Sequence, residues 1–469
     1  MRQRLKGPDL VTNYATHLNA IDARYHLHSQ TNAVAHQSRG ALMLTGGDGV
    51  FVSDVEGRRY LESMSGLWYA NLGFSNQGLV DAAHAQLQKL PAYHTFNHRS
   101  NDVCAQLSEK LAQIVPLEDA RLFYVNSGSE AIDSMVKMAW YYHMAEGNGT
   151  RRKIISRQGA FHGSSIYGAV VGGLPHMKDG FNLPKTDGVV QVSCPSYYRN
   201  ADAGETEAAY CDRLIDEVAD VIAAHGADTI AAMIAEPIIG AGGVLTPPKG
   251  YFSRLSTLLQ SHGILLLMDE VICGFGRTGN WFGAQTYGAQ PDMIATAKGL
   301  TAGYIPMGAV AISGRVYEAI AAQSDQLGVF GHGFTYSGHP TASAVALAAL
   351  EQYHKMDAPA LTARRGQDLR SALTALATDD MIGDVRVEGF IAGIELVANK
   401  ADRTPFAPEL SVGRRFENNA LREGLIVRNM GDTIALCPPY IMTDDEFYIM
   451  INRLRTALHA TRAGLCAAA

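Results

Sequence analysis

The sequence predicts an α/β protein, with a mostly parallel sheet held between helices and a smaller α+β part built from the chain ends. Three observations carry that expectation. Short apolar runs without polar alternation recur through the middle of the chain, as strands buried on both faces do. Helical patterns alternate with them, which is the signature of helices covering a parallel sheet. Towards both ends the pattern shifts to alternating segments and an isolated last helix.

Taken in order, Gly49-Val-Phe-Val-Ser-Asp-Val-Glu-Gly57 reads as a hairpin-like piece between glycines. Arg121-Leu-Phe-Tyr-Val125 is the first strand of the central series, and Ser127-Gly-Ser-Glu130 after it fits a capping box opening a helix through Val136, Met138 and Tyr142. Further strand-like runs are Lys153-Ile-Ile-Ser156, Ile230 to Ile234, Ile264 to Met268, Met293-Ile-Ala-Thr296 and Ala309-Val-Ala-Ile312, all read as buried parallel strands. From Pro340 a helical stretch, Ala342 to His354, leads into Val385-Arg-Val-Glu388 and Ile391 to Leu396. A last helix starts at Thr443, with Glu446 as capping partner, and runs towards Arg462. The predicted division is residues 1–70 joining the small domain, 71–340 forming the large one, and 341–469 completing the small one.

Composition narrows the function. The 469 residues are 47% hydrophobic and 18% charged, enough for one large core and a second, smaller one. A net charge of -7 without basic runs gives no reason to expect nucleic acid or an anionic membrane as partner. Six scattered cysteines with no C-x-x-C pair read as reduced thiols of a cytoplasmic protein. The basic start Met1 to Lys6 is followed by no apolar stretch, so no signal peptide is expected, and the Asn148-Gly-Thr sequon carries no weight without one. The most apolar run, Gly263 to Met268, meets Asp269 and Glu270 far too soon to span a bilayer.

Three features sit at the ends of the predicted strands, where α/β sheets bind ligands. At Val125-Asn-Ser-Gly-Ser-Glu130 a strand gives way to a helix whose first N–H groups are unpaired, so a phosphate fits at Gly128 and Ser129; the plainer reading is a capped helix. At Leu267-Met-Asp269-Glu270 two acids follow a strand; Asp269 suits a protonated pyridine nitrogen, while a metal-binding pair or a salt bridge remains an alternative. At Ile294-Ala-Thr-Ala-Lys298-Gly a lysine follows a buried strand, where lost hydration makes its amine a nucleophile for a carbonyl; the commoner case is a surface lysine. A phosphate cradle, a pyridinium partner and a Schiff-base lysine are together the three handles pyridoxal phosphate requires.

Two further patterns are set aside. Gly274-Phe-Gly-Arg-Thr-Gly279 spells a dinucleotide fingerprint, but no helix opens directly after it. The pairs His26/His28 and His94/His98 have no third ligand at metal-site spacing, so no metal is expected.

The same residues resemble those of the class III aminotransferases of the amine:pyruvate (omega-transaminase) group. The resemblance runs from about Tyr25 to the last helix, through Ser65-Gly-Leu-Trp68, Asn126-Ser-Gly-Ser-Glu-Ala131, Phe161-His-Gly163, Ala235-Glu-Pro237, Met268 to Gly279, Ala297-Lys-Gly-Leu300, Gly333 to Pro340 and Gly424-Leu-Ile-Val-Arg428. It implies a fold type I pyridoxal-phosphate transferase with a seven-stranded, mostly parallel sheet. It implies that Lys298 carries the cofactor and shuttles the proton, with Asp269 on the pyridine nitrogen and Glu236 close by. Gly128 and Ser129 would hold the phosphate, with Ser127 and His162 completing the cofactor-binding set. Phe161 would stack on one face of the ring and Val271 on the other, and Thr335 would reach the phosphate of a neighbouring subunit, so a homodimer would share its active sites. Trp68 and Phe161 would line the substrate pocket, and Arg428 would be a mobile arginine gripping the 2-oxo acid carboxylate.

Departures bear on the subgroup. Ile272 stands where ornithine- or 4-aminobutyrate-using relatives usually carry glutamine, and Ile239 where many have glutamine too. Phe161 replaces a common tyrosine, and His28-Ser-Gln30 makes the pocket entrance more polar. The expected activity is therefore ping-pong transfer of an amino group from a primary amine to a 2-oxo acid, with pyruvate the expected acceptor, giving L-alanine. An aminomutase or a decarboxylating enzyme on the same scaffold is the rival reading, followed by a non-catalytic scaffold protein, against which the presence of both Lys298 and Asp269 argues.

Overall fold

The computed structural model describes residues 8–184 and 187–466; the basic start of the chain lies outside them. The first strands are β1 (Leu44–Asp48), β2 (Phe51–Asp54) and β3 (Arg59–Glu62). The predicted hairpin-like piece is thus the middle strand of a meander, paired antiparallel on both sides.

The central strands are β4 (Arg121–Val125), β5 (Lys153–Arg157), β6 (Val189–Val192), β7 (Ile230–Ala235), β8 (Leu265–Asp269), β9 (Met293–Thr296) and β10 (Gly308–Ile312). They form one seven-stranded sheet in the order β4-β10-β9-β8-β7-β5-β6. Period-two alternation sends Leu266 and Met268 of β8 into the core on one face and Leu265 and Leu267 into the core on the other. The helices Tyr251–Ser261 and Glu207–His225 cover the first face, and Gly128–Ala145 and Gly314–Leu327 the second. Both faces are therefore dry, which is why these strands read as unbroken apolar runs.

Two strand expectations need correction. β10 is not parallel: it runs antiparallel to both β9 and β4. Its link from β9 holds only the short 3-10 turn Lys298–Thr301 and left-handed Ala302, with no crossover helix to return the chain in the same direction. β6 is a strand that the apolar scan passed over, since Gln191 interrupts it and two of its four residues are only half-buried. Because β4 and β9 both oppose β10, all strands except β10 point the same way, and their carboxyl ends share one edge of the sheet.

The remaining strands are β11 (Ile382–Glu388), β12 (Ile391–Leu396), β13 (Leu425–Ile426), β14 (Arg428–Met430) and β15 (Thr433–Leu436). β11, β12, β15 and β14 form an antiparallel sheet, while β13 pairs parallel with β3, joining the two ends of the chain. The last helix, Asp444–Cys466, starts at a full capping box: Thr443 Oγ1 accepts from Glu446 N at 3.3 Å, and Glu446 Oε2 accepts from Thr443 N at 2.8 Å. At Ser127 only half of the box forms, because Glu130 accepts from the N–H of Asn126 instead of that of Ser127.

The glycine-rich decoy is structural. Arg277 at its centre is fully buried and donates to the carbonyls of Phe390 and Pro438 at 2.9 and 2.7 Å. All six cysteines are free thiols, five of them buried, and among the described residues no helix is long and apolar enough to cross a membrane. His94 stacks on Tyr93, as ordinary packing predicts. The expectation that His26/His28 has no third neighbour fails: Asp22 and His36 lie against the pair.

Candidate active site

The strand ends converge on a cavity of about 150 Å³. It brings together Gly128 and Ser129 after β4, Phe161 and His162 after β5, Glu236 after β7, Asp269 and Val271 at β8, and Lys298 after β9. Ile132, Gly163, Ile272 and Ala297 complete the lining. A larger cleft elsewhere, of about 1010 Å³ beside Arg199 and Asp432, contains none of these strand-end groups. The convergence of titratable groups, and not size, marks the smaller cavity.

Each group has a local cause. Lys298 opens the short 3-10 turn with φ of 41°, a left-handed conformation rare for a residue with a Cβ. Burial holds its amine down to about 8, against the opposing pull of Asp269 and Glu236 and with Arg428 adding to the fall. The Asp269 carboxylate is fixed at both oxygens, with Oδ2 at 2.9 Å from His162 Nδ1 and Oδ1 accepting from Val271 N at 3.1 Å. Glu236 accepts from Phe161 N at 3.0 Å and Gly240 N at 2.9 Å. Burial pushes its carboxyl up; His162 opposes that rise and Asp269 adds to it.

The end of the cavity at the helix start is preformed. Ser127 caps the helix Gly128–Ala145 from outside the cavity, and the helix's first turn forms part of the wall. Ser164 N donates to Ser129 Oγ at 3.0 Å, and Gly163, with φ of 103°, lies so close that a Cβ there would meet Ser129 Oγ at 2.7 Å. An anion at this end faces unpaired N–H groups and the positive end of the helix dipole.

A second cavity of about 390 Å³ adjoins the first and shares Phe161, Ile272 and Lys298 with it. Trp68 and Arg428 line it, as do Gln30, Leu67, Leu174, His176, Ala241, Gly242 and Asn429 to Gly431. Arg428 sits on β14, half-buried, with its pKa lowered by burial. Among the described residues none closes an ion pair with it, so it is not part of a surface salt bridge; Glu417 is the acid that acts on it. Ile239, by contrast, is buried and lines neither cavity. Thr335 is exposed on its own chain and stands apart from both cavities. Of the other pocket residues, the sequence had singled out Gln30, Phe161, Ile272 and Lys298, but not Leu174, His176, Ala241, Gly242 or Asn429 to Gly431.

A lysine with a lowered pKa, a fixed carboxylate and a helix N-terminus around one cavity is the set that pyridoxal phosphate requires. The class-III aminotransferase family model matches residues 33–458. The chain belongs to the class-III aminotransferases. The omega transaminase of Pseudomonas jessenii, solved in complex with PMP, is 43% identical with a TM-score of 0.93, covering 95% of this chain and 98% of that one. The mitochondrial gamma-aminobutyrate transaminase 1 of Oryza sativa subsp. japonica is 40% identical over 421 residues, 90% of this chain and 81% of the relative. The vanillin aminotransferase of Capsicum chinense is 39% identical over 421 residues, 90% of this chain and 92% of the relative.

Class-III aminotransferases use pyridoxal phosphate, and this chain is a fold type I enzyme of that family that transfers amino groups between small-molecule amines and oxo acids. The cavity fits the cofactor on its own chemistry as well. His162 Nε2 is buried without a partner among the described residues, and the strand ends leave an anion cradle, a carboxylate and an amine facing one space.

Proposed function

We propose that this aminotransferase takes a primary amine as donor and pyruvate as acceptor in a ping-pong cycle. The observation that carries the reading is the position of Lys298, which lines both the strand-end cavity and the pocket holding Arg428. When bound, pyridoxal phosphate supplies a carbonyl for the amine and a ring that takes up the electron pair released at the carbon next to nitrogen.

The chain's own residues do the rest. Ser129 and the first-turn N–H groups of the helix Gly128–Ala145 hold the phosphate, with Ser127 fixing that turn. The Asp269 carboxylate, its angle fixed by His162 and the Val271 N–H, would keep a proton on the pyridine nitrogen. Glu236 holds the Phe161 backbone, and Phe161 and Val271 would flank the cofactor ring. Lys298, already poor at holding a proton, would accept one at Nζ from the carbon next to the substrate nitrogen and hand it on within the same site. Trp68, Leu67 and Ile272 give the donor an apolar wall. Arg428 meets the oxo-acid carboxylate with two parallel hydrogen bonds. For an uncharged donor it turns towards Glu417, since an unpaired guanidinium in the pocket is costly.

Thr335, exposed on its own chain, is read as serving the partner's phosphate in a homodimer. The split into residues 1–70, 71–340 and 341–469 rests on the β3–β13 pairing of the two ends. A cytoplasmic location rests on the free thiols; with a mitochondrial protein among the relatives, cell fractionation is its test.

The deciding experiment is the visible spectrum of the purified, cofactor-loaded protein. Bleaching of the yellow band by L-alanine and its return with pyruvate support the whole cycle. A band that ignores alanine but bleaches with glutamate removes pyruvate as acceptor. A protein that never takes up cofactor removes the site assignment.

A further inference from the structure

The helix Pro8–Tyr25 carries Asp22 in its last turn, and the chain winds on far enough for His26 N to donate to the Asp22 carbonyl at 3.0 Å. The i,i+4 spacing brings His26 Nδ1 to 3.2 Å from Asp22 Oδ1. His28 Nε2 is 2.7 Å from Asp22 Oδ2, and the helix Ala33–Arg39 brings His36 Nε2 to 3.0 Å from the same oxygen. The imidazoles fan around this carboxylate, with centroids 4.2 Å apart for His26 and His28 and 4.0 Å for His28 and His36. Among the described residues this is the one cluster whose ligand-type atoms, on Asp22, His26 and His28, all lie within 4.8 Å of one another.

Neither the cofactor nor the amino transfer uses these groups. Zinc–nitrogen bonds of about 2.0–2.1 Å put the ligand atoms of a tetrahedral site about 3.3 Å apart. The carboxylate-to-imidazole distances of 2.7 to 3.2 Å are close to that edge length, and the ligand atoms of Asp22, His26 and His28 all lie within 4.8 Å of one another. Imidazole with a single carboxylate suits zinc, nickel or copper, whereas calcium and magnesium favour all-oxygen sites.

The geometry points to a binding site for one divalent late-transition-metal ion, with Asp22, His26 and His28 as ligands and His36 held against the Asp22 carboxylate. The site ties the end of one helix to the start of the next across the segment that carries Gln30. Gln30 lines the substrate cavity, so an ion held two residues away stiffens part of that wall. This site is independent of the donor and acceptor.

The test uses the untagged, cofactor-loaded full chain, stripped with EDTA and desalted, then titrated with zinc sulfate in a calorimeter. One zinc ion per chain is expected, with a rise in melting temperature on binding. His28→Gln and Asp22→Asn weaken binding by at least about 100-fold, as loss of a ligand should exceed loss of its supporting partner. His94→Gln, at the unrelated pair, leaves binding unchanged. Absence of a one-site event in the wild type overturns the proposal, as does equal affinity in His28→Gln. Should the variants fail to fold, cobalt substitution of the wild type decides: intense tetrahedral d–d bands support the site, and weak octahedral ones overturn it.

Discussion

In the proposed cycle Lys298 and Arg428 would divide the work between proton transfer and substrate choice. Lys298→Ala still takes up pyridoxal phosphate without a covalent bond, and its transamination rate falls by about 100- to 10,000-fold, the range of a single acid–base group; stopped-flow bleaching with L-alanine measures it. With its amine at about 8, the apoprotein takes up cofactor faster as pH rises through that value, because the neutral amine is the nucleophile. A flat rate between pH 7 and pH 9, roughly one unit either side, would count against that protonation state. Arg428→Ala raises the KM for pyruvate by about 10- to 100-fold, the loss of a charge-assisted contact of ~1.5–3 kcal/mol, while an uncharged amine loses under about two-fold. Equal losses for both substrates would refute the switch. Lys298 and Asp269 were legible in the sequence because a polar residue at or just past the end of a buried strand stands where the strand ends meet the cavity. Arg428 had no such mark. It lies on a three-residue strand, and its free guanidinium is visible only once its surroundings are assembled.

At the scale of the element, the turn after β3 shapes the substrate wall. Ser65, Gly66 and Trp68 all have positive φ, at 49°, 65° and 69°. Buried Glu62 holds the turn by accepting from Met64 N at 3.2 Å and from Gly66 N. Burial lifts the Glu62 carboxyl to about 8, against those two hydrogen bonds. Its folded pKa is raised, so the native state keeps a proton that the unfolded chain has lost, and stability falls as pH climbs from about 4.5 to about 8. Glu62→Gln removes that slope, worth up to ~1.4 kcal/mol per pH unit. Urea titrations of both proteins across the window measure it, and parallel profiles would mean that Glu62 is ionised in the fold. None of this was legible in advance. The motif Ser65-Gly-Leu-Trp68 pointed to the tryptophan, but backbone strain and a protonated acid have no periodicity. The reversal of β10 escaped for a similar reason, since an apolar run looks the same in either direction.

Across the whole molecule, the dry sheet with its two cores was readable because it leaves unbroken apolar strands. The joining of β3 to β13 was not, since a two-residue pairing between Leu61 and Leu425 leaves no local trace. The reading of a shared site gives a prediction at this scale. If Thr335 completes the partner's phosphate cradle, cofactor retention falls on dilution as subunits part, by simple mass action. Thr335→Ala then loses cofactor about 10-fold more readily, one hydrogen bond to a charged group being ~1.5 kcal/mol or more, with its dimerisation unchanged. Sedimentation with detection at the cofactor band reads both quantities, and a monomer retaining full cofactor would refute sharing.

The left-handed turn at Lys298 has a consequence for mutability. A side chain at that φ costs about 1–2 kcal/mol that glycine avoids, offset in part by glycine's freer unfolded chain. Lys298→Gly should therefore be more stable than Lys298→Ala, by roughly 1 kcal/mol. The position is one where folding alone would choose glycine and only chemistry retains lysine. A lineage released from catalysis would drift away from lysine here first, and a search for thermostable variants that ignored activity would erase the enzyme at this residue.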